Sequence, residues 1–231
     1  MQEWGEGIRE TTMNPCFWLE RWQKNEIGFH QDKVQPALIK HWPGLKVAKG
    51  ARVFVPLCGK SLDMEWLAAQ GHNIIGAELS EAAIDSFFIG CGLTPSTENI
   101  GAFKVKRSGP YEMWCGDFFA LSRETFQDVP AAYDRAALVA MPPDMQARYA
   151  EKFAELMPAN SQTLLIGLDY NSNEMKGPPF AIPRDAINAL FKDHFEVSLI
   201  EARDGLTKSE HLAKRGITRL EEASYLLRQR A

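Results

Sequence analysis

The residues best able to do chemistry are an acid and a turn. Glu78, in Ile75-Gly76-Ala77-Glu78-Leu79-Ser80, follows Gly59 of Val55-Pro56-Leu57-Cys58-Gly59-Lys60-Ser61 by 19 positions. A carboxylate at the tip of a second parallel strand, reaching over the turn that closes the first, can accept both hydroxyls of a ribose. Three ligand classes compete for the turn. Gly59-Lys60-Ser61 resembles the end of a phosphate-binding P-loop, but Phe54 stands where that motif needs its first glycine. A dinucleotide fingerprint uses three glycines to admit a pyrophosphate, and this turn offers Gly59 alone. A nucleoside without phosphates, such as S-adenosylmethionine, needs one close backbone approach and the ribose acid. The bland alternative is an ordinary strand–turn–helix carrying a surface glutamate.

Further candidates lie along the chain. Cys115-Gly116-Asp117-Phe118 places an acid and an aromatic at the end of a later strand, suited to bonding an adenine amino group and covering its ring. The competing reading is a capping aspartate and core phenylalanines. Arg135 follows Asp134 inside an apolar run, Ala132 to Ala140, where charge is costly unless paired or functional. His30 and Asp32 could take a proton directly or through water, or could belong to a helix cap. Trp18 and Trp22, at i and i+4, form either an aromatic lid for a sulfonium or an amphipathic stripe packing a helix. Gly177-Pro178-Pro179-Phe180 reads as a rigid apolar loop lining a pocket, with Phe180 its aromatic.

These groups need a frame. Arg52 to Val55 is β-branched and aromatic, as a strand covered on both faces should be, and Pro56 stops the ladder. Leu62 to Gln70 has its apolar residues on one helical face, with Gly71 at the left-handed C-terminal position. Asn73 to Ala77 reads as the second strand and Ser80 as the N-cap of the next helix. Further strands are expected at Phe103–Val105, Tyr111–Trp114, Ala132–Ala140, Gln162–Leu168, Phe195–Ile200 and Ser224–Leu227, with helices after Pro142 and from Arg184 to Phe191. The expectation is one α/β domain, a seven-stranded mixed and mostly parallel sheet with helices on both faces.

Composition narrows the classes. With 231 residues, 45% hydrophobic, the chain suffices for one large domain. A net charge of −4 and a pI near 5.8 argue against nucleic acid as main partner. No apolar run approaches the roughly 18 residues of a membrane span, and no signal-peptide pattern opens the chain, so a cytoplasmic protein is expected. Cys16, Cys58, Cys91 and Cys115 make no CxxC pair and the five histidines no HExxH. Neither disulfides nor a metal are expected.

Several unusual strings occur in order: Phe17-Trp18-Leu19-Glu20-Arg21-Trp22 with Gly28-Phe29-His30, then Val55 to Ser61, Gly76 to Ser80, Tyr133 to Leu138, and Gly177 to Phe180. Together they resemble the bacterial branch of the thiopurine S-methyltransferases, collinearly from about Asn14 to Leu227. The resemblance implies a class I methyltransferase (Rossmann-like) fold over residues 13–231, preceded by an N-terminal extension, 1–12. It also implies S-adenosylmethionine as methyl donor and S-adenosylhomocysteine as product. Carried across, the cofactor contacts fall on Trp22, Leu57, Glu78 and Arg135, with backbone contacts near Gly116 and Asp117 and support from Trp18. Phe29 corresponds to the aromatic facing the acceptor, which Arg135 also borders. A second pocket arginine of the animal enzymes aligns with His211. The acceptor expected is an aromatic or heterocyclic thiol such as a thiopurine, taken as the anion beside Arg135. The alternatives are a selenium or tellurium oxyanion and a cofactor-binding regulator without turnover. A monomer is expected, since no apolar stripe is left unassigned.

Overall fold

The computed structural model describes residues 15–208 and 210–231. The expected extension, 1–12, lies outside the described residues. Helices α1 (Pro15–Gln23) and α2 (Pro36–His41) lead to β1 (Arg52–Pro56), α3 (Leu62–Ala69), β2 (Asn73–Glu78) and α4 (Glu81–Gly90). Three strands follow, β3 (Ser96–Ile100), β4 (Phe103–Ser108) and β5 (Tyr111–Cys115), then β6 (Ala131–Arg135), α5 (Pro143–Leu156) and β7 (Gln162–Asp169). The chain closes with α6 (Arg184–Phe191), β8 (Phe195–Asp204), α7 (Glu210–Ala213) and β9 (Glu221–Gln229). All strands join one sheet in the order β3-β4-β5-β2-β1-β6-β7-β9-β8. The central β5, β2, β1, β6 and β7 are parallel, and the remaining pairings are antiparallel.

Side-chain alternation along β1 explains the two-sided cover. Val53 and Val55 pack with Leu38, Met64, Leu67, Ile84 and Phe87 beneath α2, α3 and α4. Phe54 points the other way, into a cluster with Phe118, Phe126, Tyr149, Phe153 and Phe191 beneath α5 and α6. Each residue of the strand is thus apolar because each face is a core. Truncating a fully buried ring such as Phe54 or Phe153 would cost about 3–5 kcal/mol. Local signals set the boundaries. Ser61 caps α3 by accepting from Asp63 N–H at 3.2 Å, and Gly71 ends it in the left-handed region at φ 93°. Ser80 caps α4 through Ala83 N–H at 3.3 Å.

The sheet has nine strands, not seven. The seven from β5 to β8 form the frame, and β4, expected at Phe103–Val105, pairs with the unexpected β3 to extend it antiparallel beyond β5. In β3 only Ile100 is even partly buried, so its sequence carries no alternation to reveal it. The extension is tied down by charge as well as by the ladder, because buried Lys106 of β4 pairs with Glu81 and Asp85 of α4. The apolar run from Ala132 does not continue as a strand to Ala140. It stops at Arg135, Ala136 turns into the left-handed region at φ 72°, and Leu138–Ala140 forms a single 3-10 turn. The buried carboxylate of Asp134 fixes that break, accepting from Leu138 N–H at 3.2 Å and from Tyr149 O–H at 2.7 Å.

Candidate functional site

The C-terminal ends of the parallel strands are where an open α/β sheet binds ligands, and most of the predicted site residues collect there. Strand β1 ends in a turn in which Leu57 and Gly59 both take positive φ, 46° and 53°. The bend brings Gly59 N–H to Glu78 Oε2 at 2.9 Å, while Glu78 Oε1 accepts from Ser80 N–H at 2.8 Å. Glu78 is 8% exposed, and burial pushes its carboxyl above the ordinary range against the opposing pull of these N–H donors. Each oxygen uses one lone pair on the backbone and keeps another, so the carboxylate is a fixed acceptor for two hydroxyls. Gly116, next to the end of β5, joins the same crevice through its N–H to Glu78 O at 3.0 Å.

Helix α1 covers the turn. A Cβ on Gly59 would lie 3.1 Å from Trp22 Cζ2, so the indole rests on the glycine. Phe29 meets Trp18 and Trp22 edge-on, with ring centroids at 5.6 and 5.5 Å. The i, i+4 tryptophans therefore present one aromatic face, shared with Phe29. No residue of α1 is fully buried, so the helix lies on the crevice rather than in the core.

A cationic side completes the site. Arg135, 19% exposed at the end of β6, has its Nη1 4.0 Å from Asp63 Oδ2. His30 lies within electrostatic reach of Lys60, Arg135 and Asp32. Burial first, then the Lys60 and Arg135 charges, push its pKa below the ordinary 6.5, with Asp32 opposing. Asp32 itself is exposed. Phe180 is brought toward the same strand ends, its N–H donating to Val139 O at 2.6 Å and its ring packed over Gly177.

One predicted position is placed otherwise. Phe118 is 6% exposed and stacked on Tyr149 with centroids at 4.9 Å, so its ring belongs to the core, and the partly exposed neighbour is Phe119. Asp117 spends its Oδ1 on Phe119 N–H at 2.9 Å as the cap of a short 3-10 turn. His211 falls in α7, and its side chain lies outside the described residues. Two residues beside Arg135 were not anticipated. Asp63 in the first turn of α3 reads in sequence as a helix-dipole acid, and Tyr133 reads as an apolar strand residue; neither pattern signals a polar partner across the sheet. Among the described residues, no cluster of three His, Cys, Asp or Glu could hold a metal ion, and no helix is long and apolar enough to cross a membrane.

The crevice fits a nucleoside cofactor carrying a positive sulfur: a buried two-hydroxyl acceptor, a glycine turn without Cβ, and aromatic faces above it. Comparisons with known proteins agree. A family model described as thiopurine S-methyltransferase matches residues 13–230. A thiopurine S-methyltransferase of Pseudomonas fluorescens (strain SBW25) is 48% identical over 215 residues, covering 93% of this chain and 99% of its own length. One from Azotobacter vinelandii is 46% identical over 218 residues, covering 94% and 100%. Among solved structures, an SAM-dependent methyltransferase from Anabaena variabilis superposes with a TM-score of 0.65 at 12% identity, covering 99% of this chain and all of its own. The Burkholderia thailandensis 1,6-didemethyltoxoflavin-N1-methyltransferase, solved with S-adenosylhomocysteine, gives 0.63 at 13% identity over 94% and 87%. At such identities the structural likeness concerns the fold alone.

Proposed function

Because the chain belongs to the thiopurine S-methyltransferase family, we propose that it transfers a methyl group from S-adenosylmethionine to the sulfur of an aromatic or heterocyclic thiol, thiopurines among them. The observation that carries this reading is the Glu78 carboxylate, buried and held by Gly59 and Ser80 N–H, with the Trp22 ring against Gly59. The cofactor supplies an activated methyl on a sulfonium. Glu78 holds the ribose, Leu57, Gly59, Gly116 and Asp117 line its bed, and the ring faces of Trp18 and Trp22 favour the cationic sulfur while excluding water.

The protein's remaining work is to present a thiolate in line with the methyl. Orientation supplies much of the rate of such a displacement, and no covalent nucleophile is needed. Arg135 favours the anion, Phe29 offers a flat ring its edge partner, and His30, neutral near pH 7 because its pKa is lowered, can accept a proton. The aromatic cluster of Phe29, Trp18 and Trp22 favours a flat thiol over a small selenium or tellurium oxyanion, which would use Arg135 alone. The free thiols of Cys58, Cys91 and Cys115 suit a reducing cytoplasm, where we place the enzyme as a monomer.

Calorimetric titration with S-adenosylhomocysteine, on wild type and Glu78→Ala, tests the reading. Saturable binding that weakens by about 1–3 kcal/mol in the variant is expected. No binding to wild type would remove the methyltransferase reading. Tight binding without turnover on either thiol or oxyanion panels would leave a cofactor-binding regulator.

A further inference from the structure

Asp63 is among the most deeply buried charged residues described, 1% exposed, and its carboxylate faces Arg135. Its two oxygens are divided. Oδ1 accepts from Gln35 N–H at 2.8 Å, and Oδ2 accepts from Tyr133 O–H at 2.9 Å while facing Arg135 Nη1 at 4.0 Å. The Gln35 side chain continues the chain of contacts, donating to Glu222 Oε2 at 3.0 Å, and Glu222 Oε1 accepts from Arg203 Nε at 2.9 Å. Buried charges are retained where they are fully hydrogen-bonded, and such networks fix the orientation of their members. Burial also keeps the Tyr133 phenol protonated well past its ordinary range, so its hydroxyl stays a donor to Asp63.

We propose that Asp63 is a positioning residue for acceptor binding: it holds the Arg135 guanidinium at the angle that receives the thiolate. The inference rests on the thiol methyltransferase reading above and deepens it. Asp63 is reached from the cofactor turn through the first residues of α3, whereas Arg135 ends β6, so the pair spans the donor and acceptor halves of the crevice. Tyr133, two residues before Arg135 on the same strand, braces Asp63 from the β6 side. An arginine whose side chain is partly exposed has many rotamers, and a fixed carboxylate beside it removes most of them.

The test is a mutant cycle on the full chain, read by S-adenosylhomocysteine affinity and by kcat/KM for a heterocyclic thiol. For Asp63→Asn, kcat/KM is expected to fall about tenfold or more, and by more than the cofactor affinity that Arg135 also serves as a carried-over contact; one pair of charges in a partly buried site is ordinarily worth that much. In an Arg135→Gln background the same change should alter kcat/KM less than twofold, as Asp63 then has no guanidinium to hold. Tyr133→Phe, which keeps the core shape, should produce a smaller loss of the same kind, and guards against Asp63→Asn failing to fold. Effects that multiply independently, or a loss of cofactor affinity as large as the loss of kcat/KM, would make Asp63 structural and overturn the proposal. Wild type that binds the cofactor but methylates no thiol removes the thiol reading, and the proposal with it, and is recognised without any variant.

Discussion

Asp134 gives a quantitative check on the frame that carries Arg135. Its carboxylate is 1% exposed, and burial, partly offset by the Tyr149 hydroxyl and the Leu138 N–H, pushes its pKa from the ordinary 3.8 up to about 6. The folded protein therefore keeps this proton to higher pH than the unfolded chain. The buried charge destabilises the fold fully above about pH 6, and the penalty fades as pH falls toward 3.8. A shift of about two units at 1.36 kcal/mol each is about 3 kcal/mol, and roughly half of it remains at about pH 5. Asn at this position keeps one acceptor oxygen and turns an NH2 toward the other donor, a cost that does not depend on pH. The stability of Asp134→Asn relative to wild type should thus improve by about 1.5 kcal/mol between about pH 5 and pH 7.5, whatever its absolute sign. Urea unfolding of both proteins at the two pH values, fitted with a common slope, measures this. A difference that is constant with pH, or that favours the variant more in acid, would refute the argument that Asp134 is buried with its charge unpaid by a cation.

Gly59→Ala places a Cβ at φ 53°, about 1–2 kcal/mol of backbone strain, and 3.1 Å from the Trp22 ring. Cofactor affinity should fall by roughly tenfold in calorimetry, and unchanged affinity would separate Trp22 from the cofactor. If His30 is the proton acceptor, the acid limb of kcat/KM lies below pH 6.5, where a lowered pKa puts it, and His30→Ala removes that limb. An unchanged profile in both His30→Ala and Asp32→Ala means no side-chain base is used. Helix α1 has no fully buried residue, so trypsin should cut near Arg21 and Lys24 several-fold more slowly with S-adenosylhomocysteine bound. Equal cleavage rates would show that the helix does not order with ligand.

The donor half of the site was legible because its signals are local. β1, its turn, α3, β2 and the Ser80 cap each follow from a run of residues whose own preferences agree with the fold, and Glu78 needed only the spacing between them. The Arg135 side of the candidate site was legible only as single residues. Arg135 stood out as a charge in an apolar run, but its partners Asp63 and Tyr133 are 72 and two positions away, and nothing local joins an α3 acid to a β6 phenol. The overextended β6 has the same origin, since an alanine adopting positive φ leaves no mark that glycine would have left. Phe118 and Phe119 were interchangeable in sequence, and only packing against Tyr149 decides which ring turns inward. Polar β3 pairs through its backbone on an outer edge, where side-chain pattern is silent.

The Trp22 ring resting on Gly59, with Phe29 sharing its edge, has a kinetic consequence. An aromatic cap that lies on the donor bed must lift for the donor to enter, and it shares an edge with Phe29, the ring proposed to face the acceptor. Substrates should then enter in a compulsory order, nucleoside first and thiol second, with the demethylated nucleoside leaving last. With that order the demethylated product, which would fill the same bed, should inhibit competitively against the donor and noncompetitively against the thiol.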